Sequence, residues 1–399
     1  MLTNRVLAQR IIFVILSVVL IGVVPGRLAA AQARETAAVD WKAEFRTLCD
    51  LAVAELSKKT TVWKEVYRKT TEDPRTHHVP FFEDSYGVRA LLVAYDMTGK
   101  KKYLDTSTRW TDQIVALQQR MIPQGAYYVN YEYGRAVGAD KGDWWVADSS
   151  SVAMAVLATA VRTRDTQKRE LYLNSVRSFA RLVIDNYVGK DGGVTDGIWS
   201  EFAGEWWSST AIFGAVMYLT HAETQDPEYL KVALGTTDWL NRHDYNPPEP
   251  PAFDALGPGV VFYTYESYAT ALPYLEPGSP RRQAAEAHIA EALDWMAKNQ
   301  QGRGAKNNLD YLNEATYMGG NPYIMYVMAR QLPQHRDQAA EADQELRYVY
   351  GLLFKDGKPR TTRVQVWELM TWAMMSYAEK LSPGTLFRTS RDAAPPPAK

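Results

Sequence analysis

The 399-residue chain is nearly neutral, with 45 Lys and Arg against 46 Asp and Glu and no basic run. That balance argues against nucleic acid as a partner, and the single cysteine, Cys49, excludes an internal disulfide. The 12 Trp and 24 Tyr are many for this length, and they cluster in loop-like stretches where a core does not need them.

Residues 1–33 read as a secretory signal peptide: Arg5 and Arg10, the apolar run Ile11–Val24, a Pro25-Gly26 break, and Ala31-Gln32-Ala33 as a small-x-small cleavage site. The run is shorter than the roughly 20 residues needed to span a bilayer. A periplasmic or secreted location is therefore expected, with no stable membrane insertion after cleavage. At the other end, Ser382–Lys399 contains Pro395-Pro396-Pro397 and reads as a disordered tail. Residues 34–381 are left as one domain.

Through that domain helical periodicity dominates, with no convincing strand alternation. Lys102–Val115 places Tyr103, Ser107, Trp110 and Ile114 on one stripe with charges opposite, and Glu170–Val183 and Pro227–Leu240 repeat the pattern. Between such amphipathic helices lie segments that are apolar nearly all round: Tyr86–Met97, Ser151–Val161, Thr210–Leu219, Tyr263–Leu275, Pro322–Leu332 and Val364–Leu381. Each follows an amphipathic partner, at 40–59, 101–120, 167–187, 227–243, 280–300 and 335–353. Six outer–inner hairpins predict an all-α fold, an (α/α)6 toroid, with the six-hairpin barrel closed around the apolar helices.

Connection lengths locate the site. Links from inner to outer helices are short and polar, such as Thr98–Lys100, whereas links from outer to inner helices are long and aromatic: 121–146, 189–208, 244–261 and 302–320. The long loops must gather where the inner helices begin, and loops of this length inside a domain usually carry function. Acids stand at that end: Glu83-Asp84, Asp148, Glu201, Glu205 and Glu266. One acid to protonate and a second to activate water is the requirement of glycosidic and uronate chemistry, though such residues are also ordinary helix caps. Asp148 and Asp84 are the catalytic candidates. Trp144-Trp145 and Trp206-Trp207 hold corresponding places before two inner helices, and with Tyr131, Tyr133, Tyr317, Glu205 and Glu266 they form the substrate-binding set, flat rings suiting the faces of sugars. Adjacent His77-His78 point apart, and no ligand spacing follows them. No metal and no cofactor are expected.

Phe82-Glu83-Asp84 running through an apolar helix into Thr98-Gly99-Lys100-Lys101-Lys102-Tyr103-Leu104 resembles a segment of the unsaturated glucuronyl and rhamnogalacturonyl hydrolases, in the six-hairpin glycosidase superfamily. Trp145-Val146-Ala147-Asp148-Ser149 is similar to the stretch bearing that family's general acid/base. Ala203-Gly204-Glu205-Trp206-Trp207 is similar to its Arg-Gly-x-x-Trp stretch, with Ala203 where the family has arginine. The resemblance implies that Asp148 protonates the double bond of a 4,5-unsaturated uronyl residue and helps water add, with Asp84 as its acidic neighbour. The expected function is an exported carbohydrate hydrolase acting on uronate-containing or other oligosaccharides. The alternatives are a polysaccharide lyase or uronate epimerase using Tyr131, Tyr133 or Tyr317 to take a proton, and a non-catalytic sugar-binding protein.

Overall fold

The computed structural model describes residues 39–61, 79–129, 144–197, 204–243, 258–303, 320–355, 358–359 and 364–392. The expected signal peptide and the loop residues Tyr131, Tyr133, Glu201 and Tyr317 lie outside them. From Lys42 onward the chain groups as one compact unit.

Twelve α-helices alternate along the described residues. The outer ones are α1 (Trp41–Leu56), α3 (Lys101–Gln118), α5 (Thr166–Asn186), α7 (Pro227–Arg242), α9 (Pro280–Arg303) and α11 (Gln338–Leu353). The inner ones are α2 (Asp84–Thr98), α4 (Val146–Arg162), α6 (Trp207–Thr224), α8 (Pro258–Ala271), α10 (Asn321–Gln331) and α12 (Val364–Leu381). Each inner helix packs on the next, and α12 packs back on α2, so the ring closes. The expected all-α toroid is the observed fold, and among the described residues the strands are only the two-residue pair β1 (Phe354–Lys355) and β2 (Lys358–Pro359).

The sequence enforces this alternation. Helix α4 is buried from Val146 through Ala160, and α6 from Trp207 through Tyr218, because neither has a polar face to show to water. Helix α3 buries Tyr103, Ser107, Trp110 and Ile114, the stripe expected from its spacing. Ring closure demands a small residue: a Cβ on Gly87 would stand 3.0 Å from Cγ2 of Thr371, so α2 and α12 approach through that glycine. The tight links are capped as their residues dictate. The Asp165 side chain accepts from the backbone N–H of Gln167 and Lys168, and Asp226 accepts from that of Glu228, with Pro227 at the first helical position. Outside the ring, α1 is pinned between neighbours by Tyr103 donating to Asp50 at 2.9 Å and Tyr377 donating to Glu44 at 2.6 Å. No helix among the described residues is long and apolar enough to cross a membrane.

The expected disordered tail is corrected over its first part. Residues 382–392 lie across the end of the ring where the inner helices finish. Leu386 is buried there. Arg162 of α4 donates to the Thr385 carbonyl at 2.9 Å, and Arg388 donates to Asp96 of α2 at 2.8 Å. The backbone N–H groups of Gly384 and Ser390 donate to Glu379 of α12 and Glu223 of α6. A run of Ser, Pro, Gly and Arg looks like a tail in one dimension. The carboxylates that order it come from three different inner helices.

Candidate functional site

The chemistry-bearing side chains meet at the opposite end, where the inner helices begin. Glu83 lies in the turn entering α2 and keeps only 4% of its surface exposed. Its Oε2 accepts the indole N–H of Trp372 at 2.9 Å, and the Trp372 ring packs on Tyr86 with centroids 4.4 Å apart. Asp148 stands in the first turn of α4, 8% exposed, and accepts the Tyr263 hydroxyl at 2.8 Å. It is not the helix cap, since that position is Trp145, whose side chain makes no capping bond. Burial, followed by the nearby charges of Glu368 and Asp148, pushes the Glu83 carboxyl well above the usual glutamate range. Glu83 and Asp148 therefore lie in one electrostatic neighbourhood, with Glu83 favouring its protonated form.

Two side-chain rungs cross the bore beneath this pair. Helices α2 and α8 are separated by two inner helices on either path round the ring, so they face each other. Tyr86 of α2 donates to Tyr263 of α8 over a long contact of 3.3 Å, and also meets Ser151 of α4 at 3.1 Å. Three residues further along each helix, Arg89 Nη1 donates to Glu266 Oε1 at 2.7 Å, an oxygen that also accepts the Tyr323 hydroxyl at 2.9 Å. Three residues of helix rise about 4.5 Å. The rungs are thus stacked one turn apart, hydroxyls above and an ion pair below. Burial raises the Glu266 carboxyl against the opposing pull of Arg89 and Tyr323. Glu266, expected to bind substrate, is instead the fully buried acceptor of the lower rung.

Three more expectations are corrected. Asp84 is fully buried and points away from Asp148 toward the outer layer. Its Oδ2 accepts the N–H of Phe81 and the indole of Trp110, each at 3.0 Å, while its Oδ1 accepts the indole of Trp367 at 2.9 Å and pairs with Lys59 at 2.9 Å. Burial raises the Asp84 carboxyl and lowers the Lys59 ammonium from their ordinary values, each against the pull of the other. A carboxylate with four donors is a structural hub, and no lone pair is left for substrate. Trp207 is fully buried, with its indole donating to Thr264 at 2.6 Å and its ring against Trp239 and His288. Glu205 accepts the indole of Trp239, on the outer helix α7, at 2.6 Å and so staples its loop outward.

The remaining tryptophans frame the entrance. Trp144 is buried against Tyr187, with ring centroids 5.3 Å apart, and against Gly197, where a Cβ would come within 2.7 Å of the indole. Trp145 is half-buried and bridges in backbone to Gly197, while the Trp206 N–H donates to the Val194 carbonyl. Trp206 is buried at the start of α6, and Trp145, half-buried at the start of α4, is the tryptophan of the set that keeps part of its surface exposed. Among the described residues, no three metal-ligating side chains gather.

The carboxyl of Glu83 gives a pH prediction. Because its folded value is raised, the folded protein holds a proton that the unfolded chain has released. The stability this contributes is complete below the ordinary glutamate value of 4.5 and is lost as pH rises through the folded value. Thermal midpoints should therefore fall on going from mildly acidic to alkaline buffer. Glu83→Gln, which keeps an acceptor for Trp372, should flatten that fall. Parallel slopes for the two proteins would place the pH dependence elsewhere.

No family model matches the chain, and no curated protein matches it in sequence. In structure, it is similar to an unsaturated glucuronyl hydrolase specific for heparin, with a TM-score of 0.53 and 11% identity over 87% of this chain and 99% of that one. The chain has the six-hairpin fold. A second structure similar to it is a glycoside hydrolase family 76 mannosidase from Bacteroides thetaiotaomicron, with a TM-score of 0.46 and 13% identity over 84% and 99% of the two chains. Within this six-hairpin toroid, the sequence placed Glu83 only among the acids at this end and did not single out Tyr86, Tyr263 or Trp372. One signal for them was available: Tyr86 and Arg89, like Tyr263 and Glu266, are polar-tipped pairs three apart on otherwise apolar helices.

Proposed function

We propose that this chain is a carbohydrate hydrolase acting on oligosaccharides that end in a uronyl residue, with Glu83 and Asp148 as its acid pair. The observation that carries this reading is that Glu83 and Asp148 both stand buried at inner-helix N-termini, Glu83 held by the Trp372 indole with burial raising its carboxyl, and Asp148 held by the Tyr263 hydroxyl. Neighbouring carboxyls cannot all ionise in a buried setting, so one keeps a proton to give and another is left to take one. On a 4,5-unsaturated uronyl residue Glu83, rather than Asp148 as the resemblance implies, gives its proton to C4 of the double bond and a water oxygen bonds C5, the water's own proton passing to Asp148. The C5 hemiketal so formed opens, leaving C1 as a hemiacetal that releases the leaving sugar with its hydroxyl. Helix N-termini around the pair favour a substrate carboxylate, and the half-buried Trp145 supplies a flat face for a sugar ring. The heparin-specific glucuronyl hydrolase with the same fold supports the uronate assignment by analogy of architecture alone. Export is part of the proposal and rests on the signal-like residues 1–33.

The test is incubation of the purified chain with unsaturated uronyl disaccharides from lyase-digested heparin and chondroitin, beside the intact polymers. Loss of the ultraviolet absorbance of the double bond is the expected outcome. New absorbance appearing from intact polymer would instead mark a lyase. Affinity with no chemical change would mark a binding protein.

A further inference from the structure

We propose that Tyr263 is a positioning residue for Asp148, held in place across the bore by Tyr86. This deepens the acid-pair reading above and depends on it for the identity of the reaction. Tyr263 belongs to α8 and Asp148 to α4, two inner helices separated by α6, so nothing in the local backbone of either helix brings them together. The hydroxyl donates to Asp148 Oδ1 at 2.8 Å, a good length for O–H···O. Behind it the Tyr86 hydroxyl donates to the Tyr263 oxygen at 3.3 Å and meets Ser151 at 3.1 Å. With Ser151 donating, every hydroxyl in the row Ser151, Tyr86, Tyr263 points its proton toward the carboxylate. Tyr86 is fully buried and wedged by Trp372, whose indole holds Glu83. The same row therefore bonds Asp148 directly and packs on Trp372, the residue that bonds Glu83.

The arrangement has a mechanical consequence. Aspartate has two side-chain torsions, and an unrestrained carboxylate can turn about both. An acceptor locked at one oxygen by a tyrosine rooted in the opposite wall loses that freedom. The Arg89–Glu266 pair one turn below ties the same two helices, α2 and α8, so the span between Tyr86 and Tyr263 is itself fixed. Misplacement of a reacting group by about 1 Å can cost roughly 10²-fold in rate.

Tyr263→Phe removes only the hydroxyl and keeps the ring. With the unsaturated uronyl disaccharide turned over by the wild type, its kcat should fall roughly 10²-fold with KM within about twofold. Tyr86→Phe should fall less, because it leaves the direct bond to Asp148 in place. A merely structural role for the hydroxyl would lower thermal stability and leave kcat per folded molecule unchanged, and that result overturns the proposal. Crystal structures of the wild type and Tyr263→Phe supply a second arm that needs no substrate. A shifted or multiply placed Asp148 carboxylate supports the assignment, and an unmoved, singly placed one overturns it. If Asp148→Asn turns over substrate normally, the acid-pair reading fails, while the crystallographic arm still decides whether Tyr263 positions Asp148.

Discussion

Asp84→Ala is expected to lower the unfolding free energy by roughly 3–5 kcal/mol, the cost of stranding one member of a buried ion pair. Lys59 is 1% exposed and has Asp84 as its carboxylate partner at 2.9 Å. Its other contacts are the Val79 carbonyl and the ring faces of Phe81 and Trp367. Removing the carboxylate leaves that ammonium uncompensated and also strips the acceptor from the indoles of Trp110 on α3 and Trp367 on α12. Asp84 thus ties the entry of the first inner helix to an outer helix and to the last inner helix, at the seam where the ring closes. Denaturant midpoints of wild type and variant measure the loss. A change below about 1 kcal/mol would show that Lys59 finds another partner or sheds its proton at little cost.

Asp148→Asn is expected to do the reverse, leaving stability near that of the wild type and lowering turnover by ~10²–10⁴-fold, the range for loss of a general acid or base. Asparagine keeps an oxygen that can accept from Tyr263, and its volume suits the first turn of α4, so the buried surroundings are preserved. What is lost is the capacity to exchange a proton. Stopped assays on unsaturated uronyl disaccharide, scaled to the folded fraction from circular dichroism, separate the two effects. Near-normal turnover by a folded Asp148→Asn would remove Asp148 from the chemistry.

The contrast between these neighbouring acids shows what the amino-acid order reveals and what it conceals. The toroid was legible because periodicity is local: helices α4 and α6 have no polar stripe while α3 has a clean one, and such a difference can be met only by an inner and an outer layer. The end that carries the site was legible for a similar reason, from unequal loop lengths. The choice between Glu83 and Asp84 was not. One residue in a helix turns a side chain by about 100°, enough to swing it from bore to outer layer. The groups that claim Asp84 are Lys59, Trp110 and Trp367, the last of them 283 residues away in sequence. Trp206 and Trp207 pose the same problem: Trp207 is taken by Thr264, Trp239 and His288, while its neighbour stays at the loop. The rungs across the bore were hidden because each joins helices 177 residues apart, and spacing within one helix cannot disclose the facing register. The ordered segment 382–392 escaped notice because its partners, Asp96, Glu223 and Glu379, are spread over most of the chain.

Turnover per folded molecule of Glu83→Gln, measured beside Asp84→Asn on the same unsaturated uronyl disaccharide, tests the assignment of the site most directly. Glu83→Gln retains the acceptor for Trp372 and removes the buried proton donor, so it should fold normally and lose roughly 10²-fold or more in kcat. Asp84→Asn should lose stability, while the molecules that remain folded work at close to the wild-type rate. A folded Glu83→Gln with wild-type turnover, together with a stable but inactive Asp84→Asn, would contradict the pairing of Glu83 with Asp148 and return the chemistry to Asp84.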